Sequence, residues 1–196
     1  MRTELQFLIP FSEFWDIGHK AFRSTPESFP VRFLAGDVFD DTFLAPGPIS
    51  QGLLLPEPEA VELSALTSLT PLRGKVSAIH AANFFHLFNE EKQKEAAEKL
   101  ASLLSPEPGS LIFGANAARA DRKGVYSLNA AATDKPAHER FGHSPQSWKE
   151  LWEGIFGPGK VEVSVSMEFL DVKSVRVSVP GGAEKADYMV WSVKRL

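Results

Sequence analysis

The chain has 196 residues, of which 43% are hydrophobic and 23% charged, with a formal net charge of −4 and no cysteine. That material fits a single domain over residues 1–196 with one continuous core. The acidic balance argues against a nucleic-acid partner, and the missing thiols exclude a disulfide framework, a thiolate metal site and a cysteine nucleophile. No apolar run approaches the ~20 residues of a membrane helix, so no membrane partner is expected. The start, MRTELQFLIPF, is interrupted by Glu4 and Pro10 and lacks a small-residue cleavage site. It reads as structure rather than as a signal peptide, and a cytoplasmic protein is expected.

In chain order, Glu4–Ile9 suits a short strand next to Pro10. Ser12 reads as the N-cap of a helix over EFWDIGHKAF, with Phe14, Ile17 and Ala21 falling on one face. VRFLAGDVF, residues 31–39, reads as a buried strand ending in an acidic turn at Asp37, Asp40 and Asp41. The proline- and glycine-rich segment 45–58 is a long loop, and Leu63, Leu66 and Leu69 mark a short helix stopping near Pro71.

The centre of the chain is Val76–Phe88, VSAIHAANFFHLF, a run apolar enough for a strand buried on both faces. Asn89 then caps a helix to Leu104, with Glu90–Lys94 and Glu95–Lys99 as i,i+4 pairs. LIFGAN, residues 111–116, follows as a second strand. Strand, helix and strand with short joins make a βαβ crossover, hence a parallel sheet. Ligands of open α/β sheets sit beyond the carboxyl ends of the strands, which singles out the segment from Ala82 and Asn83 to His86.

Residues 117–140 show no clear period and read as an irregular excursion. Ser144 and Pro145 open a helix closed by Gly157–Pro158–Gly159. The alternating stretches 160–169, 172–179 and 188–196 have no helices between them, so they pair antiparallel and close the sheet as a hairpin or meander.

Histidine is the side chain whose ordinary pKa suits proton removal near neutrality, which makes His86 and His143 the candidate general bases. A structural histidine is the competing interpretation of each. His19, His80 and His138 show no ligand spacing, and no metal is expected. GHSPQ, residues 142–146, shares a glycine and a serine with the hydrolase elbow G-x-S-x-G. It lacks the second glycine, and no histidine follows His143, so a hydrolase is excluded.

The phrases FWDIG, GDVFDD, IHAANFFHLF, LLSPEPGSLIFG and FGHSPQSWKELW, in that order, resemble the class I S-adenosylmethionine-dependent methyltransferases, and within them the fungal group that tailors polyketides and meroterpenoids. The resemblance runs from about Glu13 to the last residue. It implies an α/β, Rossmann-like methyltransferase sheet, mostly parallel with an antiparallel C-terminal hairpin, and methyl transfer from S-adenosylmethionine to a small-molecule acceptor. It implies that the Asp37 carboxylate binds the adenine amino group beside Val38, and that Ala82 and Asn83 pass the methyl end of the cofactor.

One part of that pattern is not in the sequence. No glycine precedes Gly18, and QFLIPF has no acid where the family binds ribose. The first βα unit of the family is therefore expected to be missing from this chain. Such a sheet has exposed edges, which implies a homo-oligomer or a partner covering them. The alternative to the enzyme is a non-catalytic methyltransferase-like protein that has lost cofactor binding.

Overall fold

A computed structural model describes residues 5–6, 12–50, 61–128, 138–171 and 185–196. The expected strand at 172–179, most of the one at 4–9, and much of the 45–58 loop lie outside the described residues. The elements are β1 (Leu5–Gln6), α1 (Ser12–Phe22), β2 (Arg32–Phe33), β3 (Ala78–His80), α2 (Glu90–Leu103), β4 (Leu111–Ala117), β5 (Gly124–Leu128), β6 (His138–Gly142), α3 (Pro145–Phe156), β7 (Val161–Asp171) and β8 (Lys185–Arg195).

The βαβ crossover β3–α2–β4 is present, with Ala78 opposite Leu111 and His80 opposite Phe113 in a parallel ladder. β8 then pairs antiparallel with β4, and β7 antiparallel with β8, giving a mixed sheet in the order β3-β4-β8-β7. β1 and β2 form a separate parallel pair.

Local chemistry explains the helices. The Asn89 side chain accepts from the Lys92 N–H at 2.9 Å, and Glu90 and Glu91 face the positive end of α2. Ser144 caps α3 through a reciprocal box with Ser147, Pro145 fills the first turn, and Gly157 stops the helix at φ 93°. α1 begins at Ser12 itself and ends before Arg23, whose φ of 51° and the Ser24 N–H to His19 carbonyl bond of 3.0 Å form a left-handed stop.

The core lies between one face of the sheet and the helices α2 and α3. Ile79, Ile112, Met189, Trp191 and Val193 point into it from the strands, and Ala96, Ala97, Leu100, Trp148, Trp152 and Phe156 from the helices. Phe85 plugs the end of this layer, edge-on to Trp148 at 5.0 Å and to Trp191 at 5.7 Å. Burial of one such ring contributes about 1.5–3 kcal/mol.

Several expectations need correction. The strand expected over Val76–Phe88 has only three residues, and it is buried on one face: Ile79 points into the core while Ala78 and His80 are exposed. The aromatic residues after it serve a turn, not a strand, because Phe85–Leu87 winds into a 3₁₀ segment that inserts Phe85 into the core. On α1 the expected shared face forms and is exposed, with Phe14 at 64% and Ile17 at 55%. The 117–140 excursion contains the regular hairpin β5–β6. The expected Glu90–Lys94 and Glu95–Lys99 pairs are replaced by Glu90–Lys123 and Lys99–Asp41, at 2.7 and 2.8 Å. Tertiary partners pull those side chains off the helix face.

The other face of the sheet changes character from one side to the other. On β7 and the end of β8 it is polar, with Glu162, Ser164, Ser166, Glu168 and Lys194 exposed. Towards β3 it is apolar, with Phe113 37% and Val190 45% exposed. Among the described residues no strand pairs with the outer edge of β3.

Candidate functional site

The chain leaves β3 along a tightly fixed path. The Ala81 N–H donates to the Phe113 carbonyl at 2.8 Å, and the Asn83 N–H to the Ala115 carbonyl at 2.7 Å. The Ala81 carbonyl oxygen passes over Gly114, where a Cβ atom would stand 2.1 Å from it. Glycine is therefore required at this crossing. Asn83 itself has φ 53°. With Arg23 it is one of two non-glycine residues at positive φ among those described, and unlike Arg23 it closes no helix. Such local strain persists where surrounding bonds over-determine the backbone, and it concentrates at ligand sites.

The Asn83 side chain is also held. The Tyr188 hydroxyl, from β8, donates to Asn83 Oδ1 at 2.7 Å. Tyr188 stands opposite Ala117 at the end of the β4–β8 ladder, so strand register delivers the phenol to this point. Partial burial raises the phenol pKa, with the Asn83 bond acting the other way. Tyr188 therefore stays protonated, and a donor, at neutral pH.

Asp37 sits in the acidic turn after β2. Its Oδ1 accepts from the Phe39 N–H at 2.9 Å, and its carbonyl accepts from the Asp40 N–H at 3.0 Å. The side chain thus acts as a turn aspartate, with the second oxygen of an exposed carboxylate left over. Lys99 secures the same loop from below, its ammonium reaching Asp41 Oδ1 and the Leu44 carbonyl, both at 2.8 Å. Val38 packs against the core beside Phe39. Phe39 meets Phe88 edge-on at 4.9 Å, and Phe88 meets Phe84 at 5.2 Å. The Asp37–Val38 turn and the Ala82–Asn83 exit are therefore linked through three aromatic rings.

The two histidines differ in setting. His86 follows Asn83 on the 3₁₀ segment, where burial, aided by the Arg140 charge, pushes its pKa down to about 4. Its Nδ1 has no partner among the described residues. His143 is almost fully buried where β6 leads into α3. Its Nδ1 bonds the Ser147 hydroxyl at 2.9 Å, and its Nε2 has no partner among the described residues. Burial holds its pKa down to about 4, with Glu90 opposing and Lys123 reinforcing the shift. His143 lines a cleft of about 550 Å³ between α2 and α3 together with Glu90, Lys123 and Glu150. Asp37, Val38, Ala82, Asn83 and His86 do not line that cleft. Both imidazoles are neutral at pH 7.

Sequence reasoning missed Tyr188 and Lys99. Tyr188 is 105 positions from Asn83, and only the strand register reveals the contact. Lys99 looks like any solvated lysine of an amphipathic helix, although Asp41 hinted at a counter-charge. Among the described residues no three His, Asp or Glu side chains converge as a metal site requires. No helix among them is long and apolar enough to cross a membrane.

No family model matches the chain. It is similar to the O-methyltransferase phiE of a fungal species (strain ATCC 74256), with 29% identity over 175 residues, 88% of this chain and 48% of that protein. It is also similar to the methyltransferase ausD of Aspergillus calidoustus, 27% identical over 73% of this chain and 41% of that protein. The chain spans about half the length of the curated relatives it matches. Among solved structures, the glycopeptide N-methyltransferase MtfA bound to S-adenosylmethionine aligns with 98% of this chain and 77% of its own, at TM-score 0.53 and 10% identity. The [4+2]-cyclase SpnF aligns with 99% of this chain and 66% of its own, at TM-score 0.51 and 10% identity. The curated relatives are fungal methyltransferases, and the fold is that of the Rossmann-like methyltransferases.

Proposed function

We propose that this chain forms part of an S-adenosylmethionine-dependent methyl-transfer site for a small organic acceptor of fungal secondary metabolism. The observation that carries the proposal is the Asn83 exit from β3, held at positive φ and linked to the Asp37 turn. When bound, S-adenosylmethionine supplies an electrophilic methyl group on a sulfonium. The residues present suit two parts of such a molecule. The second carboxylate oxygen of Asp37 is available to accept from the adenine amino group, and Val38 offers an apolar surface to the ring. Ala82 and Asn83 would border the methyl end. No described residues supply the glycine-rich turn that the methionine end takes in the family.

The main contribution of such a site to rate is alignment of the acceptor with the methyl group. In the proposed arrangement an acceptor hydroxyl approaches the Ala82–Asn83 segment. The acceptor oxygen would form its new bond to the methyl carbon as the carbon–sulfur bond of the sulfonium breaks, the sulfur leaving as a neutral thioether, and the hydroxyl proton would pass to a neutral imidazole. Each candidate has one ring nitrogen without a partner among the described residues, but His86 is three residues from Asn83, whereas His143 is engaged with Ser147 through its other nitrogen and faces another cleft. We assign the base to His86 and a structural role to His143. A base whose pKa is about 4 stays unprotonated well below neutrality, so the activity profile should be flat from pH 7 down to about 5.5.

A second proposal, a non-catalytic protein of this fold, is favoured by the edge of β3, which no strand pairs among the described residues, beside the apolar half of the exposed sheet face. Such an edge suits a partner or a second copy. The fold also serves other chemistry, since one structural neighbour is a cyclase. Calorimetric titration with S-adenosylmethionine separates the two. The enzyme requires saturable binding at or below millimolar cofactor, while a non-catalytic partner protein gives none.

A further inference from the structure

We infer that Tyr188 is a positioning residue for Asn83, and that the pair presents the Asn83 carboxamide N–H groups as a fixed donor to an oxygen atom of a small organic ligand. Three constraints converge on Asn83. Its backbone N–H is bonded to the Ala115 carbonyl at 2.7 Å, its φ is 53°, and its Oδ1 accepts from the Tyr188 hydroxyl at 2.7 Å. The Tyr188 bond occupies the acceptor end of the amide and thereby fixes which way the donor end faces. Among the described residues no acceptor takes the Nδ2 hydrogens, and Asn83 is exposed.

A buried structural asparagine satisfies both ends of its amide within the protein. Asn83 satisfies one end and offers the other. The arrangement also orders a side chain before any ligand arrives, which removes part of the entropic cost of binding. The raised phenol pKa keeps Tyr188 a donor throughout the neutral range, so the orientation does not depend on pH there. The ligand class rests on the methyl-transfer proposal above; the positioning role does not.

The test is Tyr188→Phe, which keeps the ring and removes only the hydroxyl, beside Asn83→Ala and the double variant. The side-chain amide resonances of Asn83, identified by their loss in Asn83→Ala, should move toward free-amide values in Tyr188→Phe. The thermal midpoint should change little. With S-adenosylmethionine as probe, each single variant should weaken binding about fivefold, and the double variant no more than Asn83→Ala alone. Unchanged Asn83 resonances in Tyr188→Phe, or losses that add in the double variant, would overturn the inference. If the wild-type protein fails to bind S-adenosylmethionine, the methyl-transfer proposal falls, and the resonances still decide the role of Tyr188.

Discussion

Two imidazoles, His143 buried and His86 half-buried, tie the stability of the protein to pH. His86 and His143 have folded-state pKa values of about 4, against the 6.5 of an ordinary histidine. The unfolded chain therefore binds protons first as pH falls. Stability is fully present above pH 6.5 and declines from there towards pH 4. Both shifts run from 6.5 to about 4, so each imidazole contributes to this decline. In His143→Gln, urea midpoints measured between pH 7.5 and 4.5 should fall less steeply than in the wild-type protein. An equal slope would remove His143 as a source. Lys99 makes a second prediction. Lys99→Met keeps the stem in its slot but leaves the Leu44 carbonyl unpaired and Asp41 without its cation. It should cost about 1–3 kcal/mol in urea unfolding. At this scale the sequence was legible where chemistry is local. Asn89 and Ser144 declare themselves as caps. Asp37 declares itself as a turn aspartate. Tyr188 was not legible, because nothing near it in sequence indicates its partner.

At the scale of elements, the crossover of the β3 exit over β4 controls the site. Gly114 admits the Ala81 carbonyl, and an added methyl would meet backbone rather than a yielding side chain. Gly114→Ala should therefore cost about 1–3 kcal/mol and displace Ala81–Asn83. The paired readouts are a lower urea midpoint and shifted Asn83 amide resonances. A variant of wild-type stability would show that the close approach is relaxed in solution. The β3–α2–β4 crossover was readable because a long polar helix between two apolar runs has few other solutions. The extent of β3 was not readable. Phe84, Phe85 and Phe88 prolong the apolar run, and periodicity alone does not distinguish a strand from a turn whose rings plug the core. The β5–β6 hairpin escaped detection for a similar reason, since its short strands carry charged and small residues in no clean alternation.

For the whole molecule, the division of one sheet face into a polar side at β7 and an apolar side at β3–β4 predicts association. Phe113 and Val190, with the edge of β3 that no strand pairs among the described residues, present an apolar surface of the kind that draws a second chain. Sedimentation of the wild-type protein should show concentration-dependent association, and the Phe113→Ser, Val190→Thr variant should shift it towards monomer. Identical behaviour of the two would show that this face stays uncovered. The fold class was legible from the order of phrases, and relatives and structural neighbours agree with it. The reaction is a separate matter, because a fold hosts several chemistries and the chain spans about half of its curated relatives. The most direct measurement is calorimetric titration of S-adenosylmethionine into the wild-type protein and into Asp37→Ala. Methyl transfer at this site predicts saturable binding by the wild-type protein, weakened about tenfold by loss of the carboxylate. No heat of binding at millimolar cofactor, or equal affinity of the two proteins, would contradict it.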